Sequence, residues 1–136
     1  MRRILTAVFV ALLAGACSDP VPNPTPAPVT PTITETFTGS LAPNATNSHL
    51  FVVHAVGGLA VTLTSVNPLA KLTIGVGTPS TTTGLCITTS TIATDPGSTP
   101  QLTGTATIKD TPFCVAVSDT GNITDTTSYT VTVLHS

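Results

Sequence analysis

The chain has 136 residues, of which 7% are charged and 4% aromatic, and its formal charge is −2. That length holds one domain with appendages, not two full cores. Apart from Arg2 and Arg3 the only basic side chains are Lys71 and Lys109, against Glu35, Asp19, Asp95, Asp110, Asp119 and Asp125; without the leader the balance is 2 − 6 = −4, which leaves no basic patch for a nucleic acid.

Residues 1–16 have the parts of an export signal: Arg2 and Arg3, the apolar run "ILTAVFVALL", and the small residues "AGA" before Cys17. The apolar run is too short to remain as a membrane span. Ala14 and Ala16 fit the A-x-A rule of ordinary secretion. "LAGAC" also resembles the bacterial lipobox, with Ala14 where Leu is usual. Both readings cut before Cys17. Lipidation is the favoured one, because acylating Cys17 leaves Cys86 and Cys114 as a pair among the three cysteines. Likeness to bacterial lipoproteins then implies several acyl chains, enough for stable anchoring. The same likeness to lipoproteins of two-membraned bacteria implies, from Ser18 in second place, the outer membrane, on its periplasmic or surface face. If Cys17 is not acylated, the product is secreted.

A proline stretch follows. Pro20, Pro22, Pro24, Pro26 and Pro28 alternate with other residues, and Pro31 closes the run. Each proline fixes its own φ and pushes its predecessor out of the helical region. Residues 17–32 are therefore expected to form a polyproline-like tether, whose fifteen or so residues reach roughly 45 Å at ~3.1 Å each.

Residues 33–136 read as a β domain. Thr and Val, both suited to strands, abound, and no window has the three-to-four spacing of an amphipathic helix. Eight alternating segments follow one another, separated by turn-rich stretches such as "APNATN", "TPSTTTG" and "SDTGNITDTT". Phe37 and Leu41 mark the first. The inward sets expected next are Phe51, Val53 and Ala55; Leu59, Val61 and Leu63; Leu72, Ile74 and Val76; and Leu85 and Ile87. Leu102, Ala106 and Ile108, then Phe113, Val115 and Val117, then Tyr129, Val131 and Val133 complete the core. The pattern predicts an all-β, antiparallel, jelly-roll-like β-sandwich of about eight strands. Cys86 lies between Leu85 and Ile87, and Cys114 between Phe113 and Val115, so both cysteines are expected to face away from the core. They could meet across adjacent strands or at a strand end. A structural disulfide is expected, worth roughly 3–4 kcal/mol on the loop-entropy model, whereas a redox pair would read C-x-x-C.

The order of motifs resembles the bacterial pre-peptidase C-terminal (PPC) domain family, small β-sandwiches of secreted proteins. "TGSLAPNATNSHLFVVHAVGG" is similar to that family's opening, "AVTLTS" and "KLTIGVG" to its next two strands, and "GTATIKDTPFCVAVSD" with "SYTVTVLH" to its closing hairpin, in which Tyr129 holds the family's tyrosine position. The resemblance covers nearly all of 33–136. His49 stands where an acidic residue is common, and Ala70 and Lys71 replace an Asp-rich stretch, which counts against the calcium site of relatives.

Residues with chemical potential are few. His49 and His54 are five apart and are expected on opposite faces, the wrong geometry for a shared metal; His135, near the tail, is expected to be solvated. Neither G-x-S-x-G nor H-E-x-x-H occurs. "SDTGNITD" offers Asp119, Asn122 and Asp125 as a weak calcium candidate, but a turn in which Asp and Asn bond their own backbone is the favoured reading. Thr62/Thr64, Thr103/Thr105/Thr107 and Thr130/Thr132 form hydroxyl rows, read as uncharged strand surface; the alternative, an ice-binding array, needs a flatter face than a twisted sheet offers. No cofactor is implied. The expected function is a lipid-anchored, non-catalytic envelope module, held to the membrane by its lipid, that binds or presents at the cell surface or periplasm, with a surface polymer or envelope protein as partner. The alternatives are an accessory domain for a separately encoded secreted peptidase or glycosidase and, more remotely, a small hydrolase.

Overall fold

The computed structural model describes residues 31–136. The expected signal peptide, Cys17 and nearly all of the proline tether lie outside the described residues. Eight strands follow in order: β1 (Ile33–Leu41), β2 (Thr46–Val53), β3 (Gly57–Asn67), β4 (Leu72–Pro79), β5 (Cys86–Thr94), β6 (Leu102–Ala106), β7 (Thr111–Ser118) and β8 (Thr127–His135). They form two four-stranded sheets, β1-β8-β3-β6 and β2-β7-β4-β5, and all pairings are antiparallel. Successive strands cross between the sheets, except that β4 and β5 are joined as a hairpin. Two interleaved Greek keys of this order make a jelly roll.

The core is aliphatic. Leu41, Val53, Leu63, Leu72, Ile74, Val115, Val117, Val131 and Val133 have no exposed surface, and Phe51 and Tyr129 are the large rings among the buried side chains. The period-2 pattern places these residues because alternate side chains of a strand share a face. It breaks once in β3, where the register against β8 shifts between Leu63 and Ser65. The extra residue resets the alternation, so Leu63 and Val66 both point inward although three positions apart. Between β1 and β2, Ala45 N–H donates to Ala42 carbonyl at 3.1 Å. Asn44 there has φ 59°, and Pro43 before a positive-φ Asn is the pattern of a type II turn.

Two inward expectations fail in one place. Leu85 is 58% and Ile87 59% exposed. The start of β5 does not stay in the plane of its sheet. A bulge sits between the β4 partners Val76 and Gly77, and beyond it the chain folds over the outer face of the sheet. A methyl group on Gly77 would overlap the Ile87 carbonyl, and one on Gly75 would lie 2.8 Å from the Thr88 and Thr91 methyls. Cys86 N–H reaches the Ser48 hydroxyl of β2 at 3.3 Å, although β4 and β7 lie between those strands. Leu85 and Ile87 thus ride on the outside of the sandwich. Ile108 is also exposed, because β6 ends at Ala106.

Candidate functional site

The overlying segment builds the disulfide. Cys114 pairs with Gly77 in the register of β7 and β4, and Cys86 comes down on it from above, Cα to Cα 5.6 Å. The two half-cystines are thus neither on adjacent strands nor at a common strand end; the bond passes over the glycine of the intervening strand. Its cover explains why β7 is buried on both faces, with Cys114 and Ala116 shielded as well as Val115 and Val117.

The titratable side chains gather along the seam where β1 and β2 face each other. Tyr129 lies opposite Gly39 in the register of β8 and β1. Its ring crosses that glycine, where an added methyl would fall 2.5 Å from the phenolic oxygen, and the Oη meets His49 Nε2 at 2.7 Å. Phe37 stacks on the His49 ring at 5.0 Å. Burial lowers the His49 pKa. Burial likewise raises that of Tyr129, opposed in part by the Asn47 side chain. Both shifts favour the neutral forms, so the two groups share a neutral hydrogen bond. Asn47 Nδ2 closes the seam by donating to the Ser40 carbonyl at 2.8 Å. The arrangement bolts one sheet to the other; it exposes no nucleophile, since Tyr129 is 2% exposed.

At the far end of the seam, His135 corrects the expectation of a solvated tail. It is 1% exposed, packs on Phe51 with ring centroids 5.3 Å apart, and brings Nε2 to 2.9 Å from Glu35 Oε1. The parity of β1 accounts for this: Glu35 shares a face with Phe37 and Leu41 and so points into the seam. That inward charge was the signal in the sequence that could have located a buried partner. His54 sits just past β2: its Nδ1 is 3.5 Å from Asp110 Oδ1 and both side chains are exposed.

The loop of Asp119, Asn122 and Asp125 is organised as a turn. Asp119 Oδ2 accepts from Asn44 N–H at 2.8 Å, and Oδ1 accepts from Asn122 N–H at 2.7 Å and Ile123 N–H at 3.3 Å. The Asn44 N–H chiefly holds the Asp119 pKa below the usual carboxylate value, against the opposing effect of burial and with help from the backbone of Asn122, Gly121 and Ile123. The carboxylate thus ties the β1–β2 turn to the β7–β8 loop. Asn122 Nδ2 is spent on Thr120 Oγ1 and Asp125 Oδ2 on Thr124 Oγ1, so the three side chains do not converge. Among the described residues no group of three or more His, Cys, Asp or Glu could hold a metal ion.

The outer face of the β1-β8-β3-β6 sheet carries the threonine rows. Thr36, Thr132 and Thr62 lie side by side across β1, β8 and β3, with Thr38 beside Thr130 in the next row. Several hydroxyls turn back to the sheet: Thr64 Oγ1 donates to the Thr130 carbonyl at 3.2 Å and Ser128 Oγ to the Asn67 carbonyl at 3.1 Å. The face is uncharged and wetted by hydroxyls.

These features define the chain's class as a disulfide-clamped jelly-roll sandwich. No protein-family model matches it, and no curated protein does. Among solved structures it is similar to a chain from the disulfide-linked pili that form Bacillus endospore appendages, at 12% identity over 77% of this chain and 88% of that one, with a TM-score of 0.29. A likeness of that degree defines neither a shared fold nor a shared role.

Proposed function

We propose that the chain is a non-catalytic β-sandwich held at the bacterial envelope by lipid on Cys17 and carried on the proline-rich segment as a stalk, where it binds or presents rather than transforms. The observation that supports the non-catalytic part is how the chemically able side chains are spent. His49 and Tyr129 hold each other, His135 and Glu35 hold each other, and Asp119 is committed to backbone N–H groups. Among the described residues no histidine ring nitrogen bonds a Ser, Thr or Cys side chain, the pairing that an activated nucleophile needs. The anchor rests on the sequence around Cys17, and the disulfide accords with an oxidising, extracytoplasmic location. The outer membrane is the destination that Ser18 supports.

Fractionation tests the reading. Wild-type chain should stay with washed membranes through high salt, and Cys17→Ser should be lost to the soluble fraction or retained as uncleaved precursor. Equal release of both forms into the soluble fraction would overturn it.

A further inference from the structure

The two sheets close against each other along the β1–β2 seam, but the opposite side, between β5 and β6, stays open. A cleft of about 150 Å³ lies there, floored by Leu59, Val76, Leu102 and Phe113 and rimmed by hydroxyls that include those of Thr89 and Ser90. Its flanks are the outer edges of both sheets, each a row of backbone groups available for strand pairing. The other two edges are guarded, β1 by its inward Glu35 and β2 by the seam bonds of Asn47 and His49. In β5 the bulge lifts only the first half out of the plane. The second half, Ser90–Thr94, runs in regular register along Leu72–Val76 and carries neither charge nor proline. Within it Ile92 faces inward opposite the buried Ile74, yet is 39% exposed.

The geometry points to a second copy of this chain as the occupant of the open side, joined through β5 in an antiparallel, two-fold pairing centred on Thr91. A knob and a hole lie on the same strand, two residues apart, and that is the self-complementarity an isologous contact requires. With Thr91 opposite its mate, Ile92 of each copy falls beside Ser90 of the other, at the mouth of the partner's apolar cleft. A dyad perpendicular to the sheets also sets the two β6 edges antiparallel, so both sheets continue from one copy into the next. Charge agrees. The nearest ions, Lys71 and Asp95, neutralise each other at 3.0 Å. A charged partner would find nothing on this edge to answer it.

Sedimentation of the full chain in detergent, combined with cysteine cross-linking, tests this. The wild type should sediment as a dimer. Ile92→Ser should weaken dimerisation by roughly 100-fold, because each dimer loses two buried isoleucines. Thr91→Cys should form an intermolecular disulfide between copies, whereas Leu134→Cys, exposed on the outer face of the other sheet, should not. If Ile92→Ser fails to fold, the cross-link decides alone. A monomeric wild type, equal cross-linking from positions 91 and 134, or a link from position 91 to a chain of different mass overturns the proposal.

Discussion

Gly77→Ala adds one methyl group at the point where β5 crosses β4. The methyl would overlap the Ile87 carbonyl and come 2.6 Å from the Ile87 carbonyl carbon and 2.7 Å from the Thr88 Cα. All three are backbone atoms, which cannot swing aside as the end of a side chain can. Two responses are open to the fold. It can keep the crossing under strain, at about 1–3 kcal/mol for an overpacked site. Or β5 can lift away, which separates Cys86 from Cys114; the 28-residue separation makes that bond worth about 3.6 kcal/mol in loop entropy. Either way the loss is about 1–4 kcal/mol, and at about 4 °C per kcal/mol for a domain of this size the thermal midpoint falls by roughly 4–16 °C. Gly104→Ala is the control, since nothing lies within 4 Å of a methyl there. Circular dichroism melting gives the midpoint, and thiol titration under denaturing conditions tells the two responses apart. A Gly77→Ala protein that melts with the wild type and has the wild-type thiol count would refute the crossing.

Four further outcomes follow from the seam and the loops. Tyr129→Phe should cost about 1–2 kcal/mol by denaturant titration, the worth of a part-buried hydrogen bond whose other partner, His49, is left behind. Acid should act in two stages. The folded His49 pKa lies below its ordinary 6.5, so the unfolded chain binds the proton first and stability declines as pH falls below about 6.5; His49→Gln should abolish that stage. Asp119, held below its ordinary 3.8, contributes stability above that value that is lost as pH falls through its folded pKa, and Asp119→Asn should flatten this second stage. Calcium should leave the thermal midpoint of the wild type unchanged, and a rise that Asp119→Asn removes would show that the loop binds the ion after all.

Much of the fold was legible because a strand's alternation records which face is buried. Val61, Leu63, Val131 and Val133 are inward in the sequence pattern and have no exposed surface in the fold. Alternation is silent about what a strand does as a whole. Leu85 and Ile87 have core-like parity but lie on a segment lifted out of its sheet, and what lifts it is a bulge opposite Val76 and Gly77. The two glycines of "TIGVG" carried that information, since Gly75 and Gly77 share the outer face of β4 and leave room for a chain to cross. The partnerships of the seam were hidden for another reason. His49 and Tyr129 are 80 residues apart, and His135 and Glu35 are 100 apart; only the topology brings them together. The inward parity of Glu35 was visible all the same, and a buried charge needs a partner.

The account stands or falls on how the chain begins once exported. Mass spectrometry of the N-terminal peptide from membrane-extracted protein measures this directly. The account predicts a peptide that starts at Cys17, is blocked at its terminus and is heavier than its sequence by the mass of the attached acyl groups. A peptide that starts at Cys17 with a free amine and a free or disulfide-bonded thiol would contradict it.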